Sequence, residues 1–201
     1  MKISLGSGVF ALPSPVWVVG SYGVHEQPNI MVVAWGAICC TEPPCLSLSV
    51  RKHRATYAGI VEHGAFTINV PSRDYLAEVD YMGMVSGINS DKFSTTGLTA
   101  VQSERVNAPY VQEFSLVLEC TLLHHLEIGT HTQFIGQVID VKADSEILNE
   151  QGVPMANKVD PLLCSAGERA YYSLGEYLDQ AGRPGAYLQH QSEEVDPHLT
   201  Y

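Results

Sequence analysis

The chain has 201 residues, 45% hydrophobic and 16% charged, which suits one compact domain with a real core and excludes a disordered or fibrous polymer. Eleven Lys and Arg stand against 22 Asp and Glu, a formal charge of −11, so duplex nucleic acid is a poor partner for lack of a basic face. No apolar run reaches the roughly 18 residues of a membrane span, and Gly6, Gly8, Pro13 and Pro15 break up the N-terminus before a secretory core can form. A soluble, cytoplasmic protein with no membrane partner is expected.

Residues 16–22 read as a strand, rich in β-branched and aromatic side chains, and residues 30–37 as a second after a turn through Pro28 and Asn29. Residues 45–50 alternate: Leu46, Leu48 and Val50 share one face, Cys45, Ser47 and Ser49 the other, with Arg51 continuing the polar side. Residues 54–62 form a short helix stopped near Gly64, and residues 65–70 a strand ended by Pro71. Ser72 offers an N-cap for a helix through Asp74, Leu76, Val79 and Tyr81. Residues 83–89 are loop-like, 91–94 make a helical turn, and 115–124 and 134–143 are long strands. The order is mainly β with short helices inserted, without alternating βαβ units or GxGxxG, so a closed or partly open antiparallel barrel is expected. The domain is placed at residues 1–182. Residues 183–201, acidic at Glu193, Glu194 and Asp196 and broken by Pro184 and Pro197, read as a tail.

Five cysteines, Cys39, Cys40, Cys45, Cys120 and Cys164, give an odd number and no CxxC, which points to reduced thiols and away from a disulfide framework or zinc knuckle. His124 and His125 are adjacent in a strand and point to opposite faces, so no metal site is expected from them.

The chemistry concentrates in residues 47–56, where a strand delivers hydroxyls and a guanidinium and a helix then begins. The first N–H groups of a helix are unpaired and partly positive, which favours an anion. Arg51 supplies a planar fork for phosphate oxygens, Thr56 a hydroxyl, and Lys52, His53 and Arg54 complete the basic cluster. A strand-to-helix turn with surface cations is the alternative.

The sequence resembles the flavin reductase-like, FMN-binding split-barrel family, and within it most closely the flavoredoxins. The motifs are Asn29-Ile30-Met31-Val32-Val33-Ala34-Trp35-Gly36, Glu42-Pro43-Pro44, Ser49-Val50-Arg51 with Thr56, Phe66-Thr67-Ile68-Asn69-Val70-Pro71, Ser86-Gly87 with Asp91-Lys92-Phe93, and Gly129-Thr130-His131-Thr132-Gln133-Phe134-Ile135-Gly136. Each is weak alone; their order over residues 12–175 is specific. The resemblance implies a split-barrel homodimer with FMN near each subunit contact. It implies that Ser49, Arg51 and Thr56 hold the phosphate, with His53 beside them, and that Asn29, Ala34 and Trp35 line the flavin. Asn69, Pro71, Ser86, Gly87 and Lys92 would border the ring system, where Lys92 could stabilise negative charge on reduced flavin. His131 matches a nicotinamide-side histidine, although Gly-Thr-His replaces the Gly-Asp-His of many family reductases and weighs against NAD(P)H. Tyr171-Tyr172-Ser173-Leu174-Gly175-Glu176 resembles the family's C-terminal motif and is assigned to packing or dimer contact. Three functions follow from the resemblance: an electron carrier between redox proteins, an NAD(P)H-dependent flavin reductase, and a non-catalytic FMN-binding protein. The acidic charge favours the first, through steering to basic partners.

Overall fold

The structure, a computed structural model, describes residues 1–23 and 25–189; Glu193, Glu194, Asp196 and Pro197 of the expected tail lie outside the described residues. The chain begins with β1 (Ser14–Pro15), β2 (Trp17–Tyr22), β3 (Pro28–Val33), β4 (Gly36–Thr41), β5 (Pro44–Val50) and α1 (Ala55–His63). It continues through β6 (Ala65–Val70), α2 (Leu76–Met84), α3 (Lys92–Thr96), β7 (Ala100–Gln102) and β8 (Pro109–Val111). The long strands β9 (Leu116–Ile128) and β10 (His131–Ala143) follow, then α4 (Ala156–Val159), β11 (Leu163–Ser165), β12 (Ala170–Tyr172) and α5 (Ala186–Gln189).

Seven strands form one antiparallel sheet in the order β3-β2-β6-β9-β10-β5-β4. Laid flat, at about 4.8 Å per strand, its two edges would stand roughly 29 Å apart. The edge strands β3 and β4 are nevertheless consecutive in the chain, separated only by Ala34 and Trp35. A link that short reaches only about 10 Å, so the sheet has to curl until its edges meet. The Ser49 N–H donates to the Trp35 carbonyl at 2.8 Å, which carries the β4–β5 ladder one step into this link. The mainly β barrel expected from the sequence is the fold observed. The single strand expected over residues 30–37 is corrected to two strands, because Ala34 and Trp35 carry the chain from one edge of the sheet to the other.

Strand periodicity sorts side chains between two cores. Leu46, Leu48 and Val50 of β5 meet Phe66, Ile68 and Phe134 inside the barrel, where the alternation predicted them. On β2, Val19 enters that interior, while Val18 faces a second core with Ile30, Val79, Met82 and Phe93 under α2 and α3. Both faces of β2 are therefore covered, which is why its sequence runs apolar without alternating. Burying a side chain such as Phe134 or Leu48 contributes roughly 1.5–3 kcal/mol each.

The helix ends follow their local chemistry. Gly64 closes α1 at φ 60°, a left-handed conformation that glycine adopts without steric cost, and its N–H reaches the Ile60 carbonyl at 2.9 Å. Asp91 caps α3 by accepting from the Ser94 N–H at 3.0 Å. The Ser72 side chain caps nothing. A 3-10 turn at Arg73–Tyr75 precedes α2, and the Ser72 backbone instead bridges to Pro161.

Candidate functional site

The barrel seam opens into a cleft of about 380 Å³. Its floor and walls come from Val16, residues 31–35 of the β3 corner, residues 49–51 at the end of β5, Arg54, His131, Cys164 and Tyr171. A second cleft of about 310 Å³ lies on the other side of the Ala34–Trp35 corner and shares Ala34, Trp35 and Ser49 with the first. A narrow crevice continues from Met31 and Arg54 past Asn29, Thr56, Ser86 and Gly87 to Lys92.

The strand-to-helix junction behaves as its sequence suggests. The N-cap residue of α1 is Arg54, no side chain caps the helix, and its first turn holds no acidic residue. The helix therefore presents partly positive N–H groups toward the cleft end. Arg51 and Arg54 border the same space, and neither pairs with a carboxylate among the described residues. The cleft lining itself includes no Asp or Glu. In a chain of charge −11, this is a local pocket of uncompensated positive charge.

The crevice is built by one interlocked group. Asn29 Nδ2 donates to Thr56 Oγ1 at 2.9 Å and ties β3 to the first turn of α1. Gly87 lies so close that a Cβ there would collide with Asn29 Oδ1, so only glycine lets this loop close over the asparagine. Lys92 is 4% exposed, and its Nζ donates to the Ile30 carbonyl at 2.8 Å and the Met82 carbonyl at 3.0 Å. Burial, and then the nearby Arg54, lower the ammonium to about 8. Two of the three ammonium protons are engaged by these carbonyls. His131, on β10, is held below the ordinary histidine range by burial and then by Arg51, which favours the neutral ring.

Three expected site residues lie elsewhere. Asn69 is fully buried on the outer face of β6, donating to the Val18 carbonyl and Thr67 Oγ1, each at 2.9 Å, and accepting from the Val111 N–H at 2.8 Å. Its polar atoms are spent on holding β8 against the barrel. Pro71 is buried, with its carbonyl accepting from the Leu162 N–H at 3.2 Å, and it lines neither the clefts nor the crevice. His53 is exposed on the turn before α1 and borders none of them either.

Other residues join the site without having been assigned to it. Arg54 was visible only as part of the basic cluster. Tyr171 comes from the far end of the chain to wall the cleft, and its hydroxyl donates to Asp80 Oδ1 at 3.1 Å on α2. Burial, and then this bond, push the phenol up to about 12. Cys164 beside it is likewise pushed up by burial, so both groups stay neutral near pH 7. The Tyr171-Tyr172 motif was the only sequence signal for this wall.

The donor set fits a ligand with one anionic end and a flat apolar body. Two guanidiniums, the Ser49 hydroxyl and the start of α1 meet the anion, while Val16, Val33, Trp35 and Tyr171 supply apolar walls. Elsewhere, a cavity of about 720 Å³ between residues 155–157 and 174–177 has Glu176 as its one charged lining residue and lacks such donors.

Residues 9–173 match the model of the flavin reductase like domain. The fold is similar to flavoredoxin of Desulfovibrio vulgaris (Miyazaki F), with a TM-score of 0.88, 48% identity, and coverage of 92% of this chain and 100% of that one. Flavoredoxin from Methanosarcina acetivorans superposes with a TM-score of 0.87 at 33% identity, covering 94% of this chain and 99% of that chain. A protein of Archaeoglobus fulgidus is 33% identical over 116 residues, which are 58% of this chain and 66% of that protein's length. Among the described residues, no helix is long and apolar enough to cross a membrane.

Proposed function

We propose that this chain, which belongs to the flavin reductase like domain family, is a redox flavoprotein of flavoredoxin type that holds FMN in the seam cleft and passes electrons between protein partners. The observation that carries this reading is the pair Arg51 and Arg54, without carboxylate partners among the described residues, at the uncapped start of α1. When bound, FMN supplies a ring system that accepts and returns electrons. The chain's own part is to bind and to hold charge. Arg51, Ser49 and the first amides of α1 hold the phosphate, assisted by Thr56 from the crevice side. Ala34 and Trp35 form the ridge against which the ring is placed. Lys92, with Asn29, Ser86 and Gly87, holds positive charge at the buried end, which would favour negative charge on a flavin bound beside it. Tyr171 and the β3 corner wall the seam cleft and take water's place along the ligand's body.

The reading includes a cytoplasmic homodimer. Tyr177 and Leu178, 78% and 88% exposed beyond the family-matched residues, leave apolar surface for a second copy. A second reading, NAD(P)H-dependent flavin reductase, is supported by His131, which lines the cleft beside Arg51. Anaerobic mixing with NADH, NADPH and a reduced ferredoxin-type protein separates them. Flavin bleaching by the protein donor alone is the expected result, and rapid bleaching by a nicotinamide replaces the carrier reading with the reductase. A folded preparation that neither carries nor binds FMN overturns both.

A further inference from the structure

The hairpin of β4 and β5 gathers three of the five cysteines at the end remote from Arg51. Cys40 and Cys45 are direct cross-strand partners, one residue pair in from the turn. Such partners hold their Cα atoms about 4.5–5.5 Å apart, inside the roughly 4.4–6.8 Å that a disulfide spans. The Cys40 thiol is exposed and donates to the Glu42 carbonyl at 3.3 Å, whereas Cys45 is only 5% exposed. One thiol can meet a reagent from solvent, and the other is screened from it, with Cys39 and the buried Cys120 also near it. Cys39 is the extra residue of the bulge between Ile38 and Cys40 and has no cross-strand partner. Burial, and then Cys45 and Cys40, push its thiol up, which lowers its own thiolate fraction.

We propose that Cys40 and Cys45 form a peroxide-sensitive dithiol that closes to a disulfide across the β4–β5 hairpin, with Cys40 the attacking and Cys45 the resolving thiol. The Cys40 sulfur attacks one oxygen of a hydroperoxide, the O–O bond breaks, and the alcohol leaves with the thiol's proton, so that Cys40 becomes a sulfenic acid. The Cys45 sulfur then displaces that oxygen. An S–S bond forms, the S–O bond breaks, and the oxygen departs as water with the Cys45 proton. The two sulfurs lose two electrons in all, and the peroxide gains them. β4 is the outermost strand of the sheet order, so the hairpin can tighten without disturbing another ladder. Its first residues, Gly36 and Ala37, wall the second cleft, and closure therefore stiffens one side of the site. The proposal stands independently of what the cleft binds.

The test uses the full-length native protein, reduced, freed of reductant, treated with a small excess of tert-butyl hydroperoxide, then unfolded and titrated for thiols. Free thiols should fall from five to three per chain, with an intact mass two hydrogens lighter and full recovery on reduction. Cys39→Ser should still lose two thiols, and Cys40→Ser, an exposed change that leaves the core untouched, should lose no pair. A wild type that keeps all five thiols, or that gains oxygen without losing two hydrogens, overturns the proposal. So does a covalent dimer on a non-reducing gel, or a Cys40→Ser protein that loses a pair as wild type does.

Discussion

Lys142 and Lys92 mark two polar regions of the same barrel that solve opposite problems. Lys142 lies among carboxylates, with Asp140 and Glu119 each at 3.3 Å and Glu104 at 3.6 Å. Burial works to lower its ammonium, but the hydrogen bond to Asp140 and the ion pairs with Glu119 and Glu104 together outweigh burial and push it up. Lys92 meets only backbone carbonyls and the field of Arg54, and it is lowered to about 8. The first region satisfies its ammonium with the chain's own carboxylates and pins the Arg105 backbone, whose N–H donates to Glu119 at 2.9 Å. The second keeps a positive excess that its own chain does not satisfy. In this protein, unspent charge separates a binding region from a structural one.

The largest effect expected from this contrast is on the structural side. Glu119→Ala empties a fully buried site, leaves the Arg105 amide without its acceptor and takes one of three carboxylates from Lys142. It should cost about 3–4 kcal/mol in urea unfolding while leaving FMN affinity within about twofold. A loss of FMN binding in a stable Glu119→Ala protein would erase the distinction between the regions.

Next comes the pH dependence of Lys92. Its folded value of about 8 lies below the 10.5 of the unfolded chain, so between them the unfolded state holds more protons. The Lys92 contribution to ligand-free stability should therefore rise with pH across that window, by about 3 kcal/mol in all. The thiols that burial pushes up, Cys120 foremost, act in the opposite sense in both proteins, so the rise is read as the difference between wild type and Lys92→Met. Unfolding curves of the two proteins at several pH values up to about 9 measure its onset below the tyrosine range. Above pH 8 the same loss of charge should weaken FMN binding in wild type. Parallel stability curves for the two proteins would mean that Lys92 does not bury a charge.

Arg51→Ala removes a charge-assisted hydrogen bond of about 1.5–3 kcal/mol, and FMN affinity should drop about ten- to a hundredfold, with riboflavin losing far less. Equal losses, read by fluorescence titration of both ligands, would make Arg51 a support for the site instead of a phosphate ligand. The smallest effect belongs to the exposed pair Lys52–Glu127 at 2.6 Å, which lies in the same basic cluster. Lys52→Ala should leave both the unfolding midpoint and FMN affinity unresolved from wild type. A measurable loss of affinity would extend the site onto the turn.

Much of this was legible in the sequence, for reasons that also explain the misses. The alternation of Leu46, Leu48 and Val50 against Ser47 and Ser49 reports a strand with two different faces, and Arg51 followed from its parity. The break at Ala34 and Trp35 was not legible, because residues 30–37 carry no proline and no glycine until Gly36, and the corner is imposed by barrel closure. Asn69 was expected at the ring system from the family resemblance alone. Its three internal hydrogen bonds depend on β2 and β8, which local sequence does not place. Tyr171 was invisible as a wall because its contact with Asp80 spans 91 positions.

The sheet order has a consequence for how the protein opens. The strands β2 to β5 are continuous in sequence, yet β6, β9 and β10 stand between the β2–β3 pair and the β5–β4 pair. The first fifty residues are therefore a loop tied at the Ala34–Trp35 corner, and later strands must be threaded into it before the corner has anything to enclose. The seam is the closing point of a ring, and it has no independent unit of stability. Occupying it draws on the cooperativity of the whole barrel, so a ligand at the corner slows amide exchange as far away as the β6–β9 ladder, whose strands line none of the clefts.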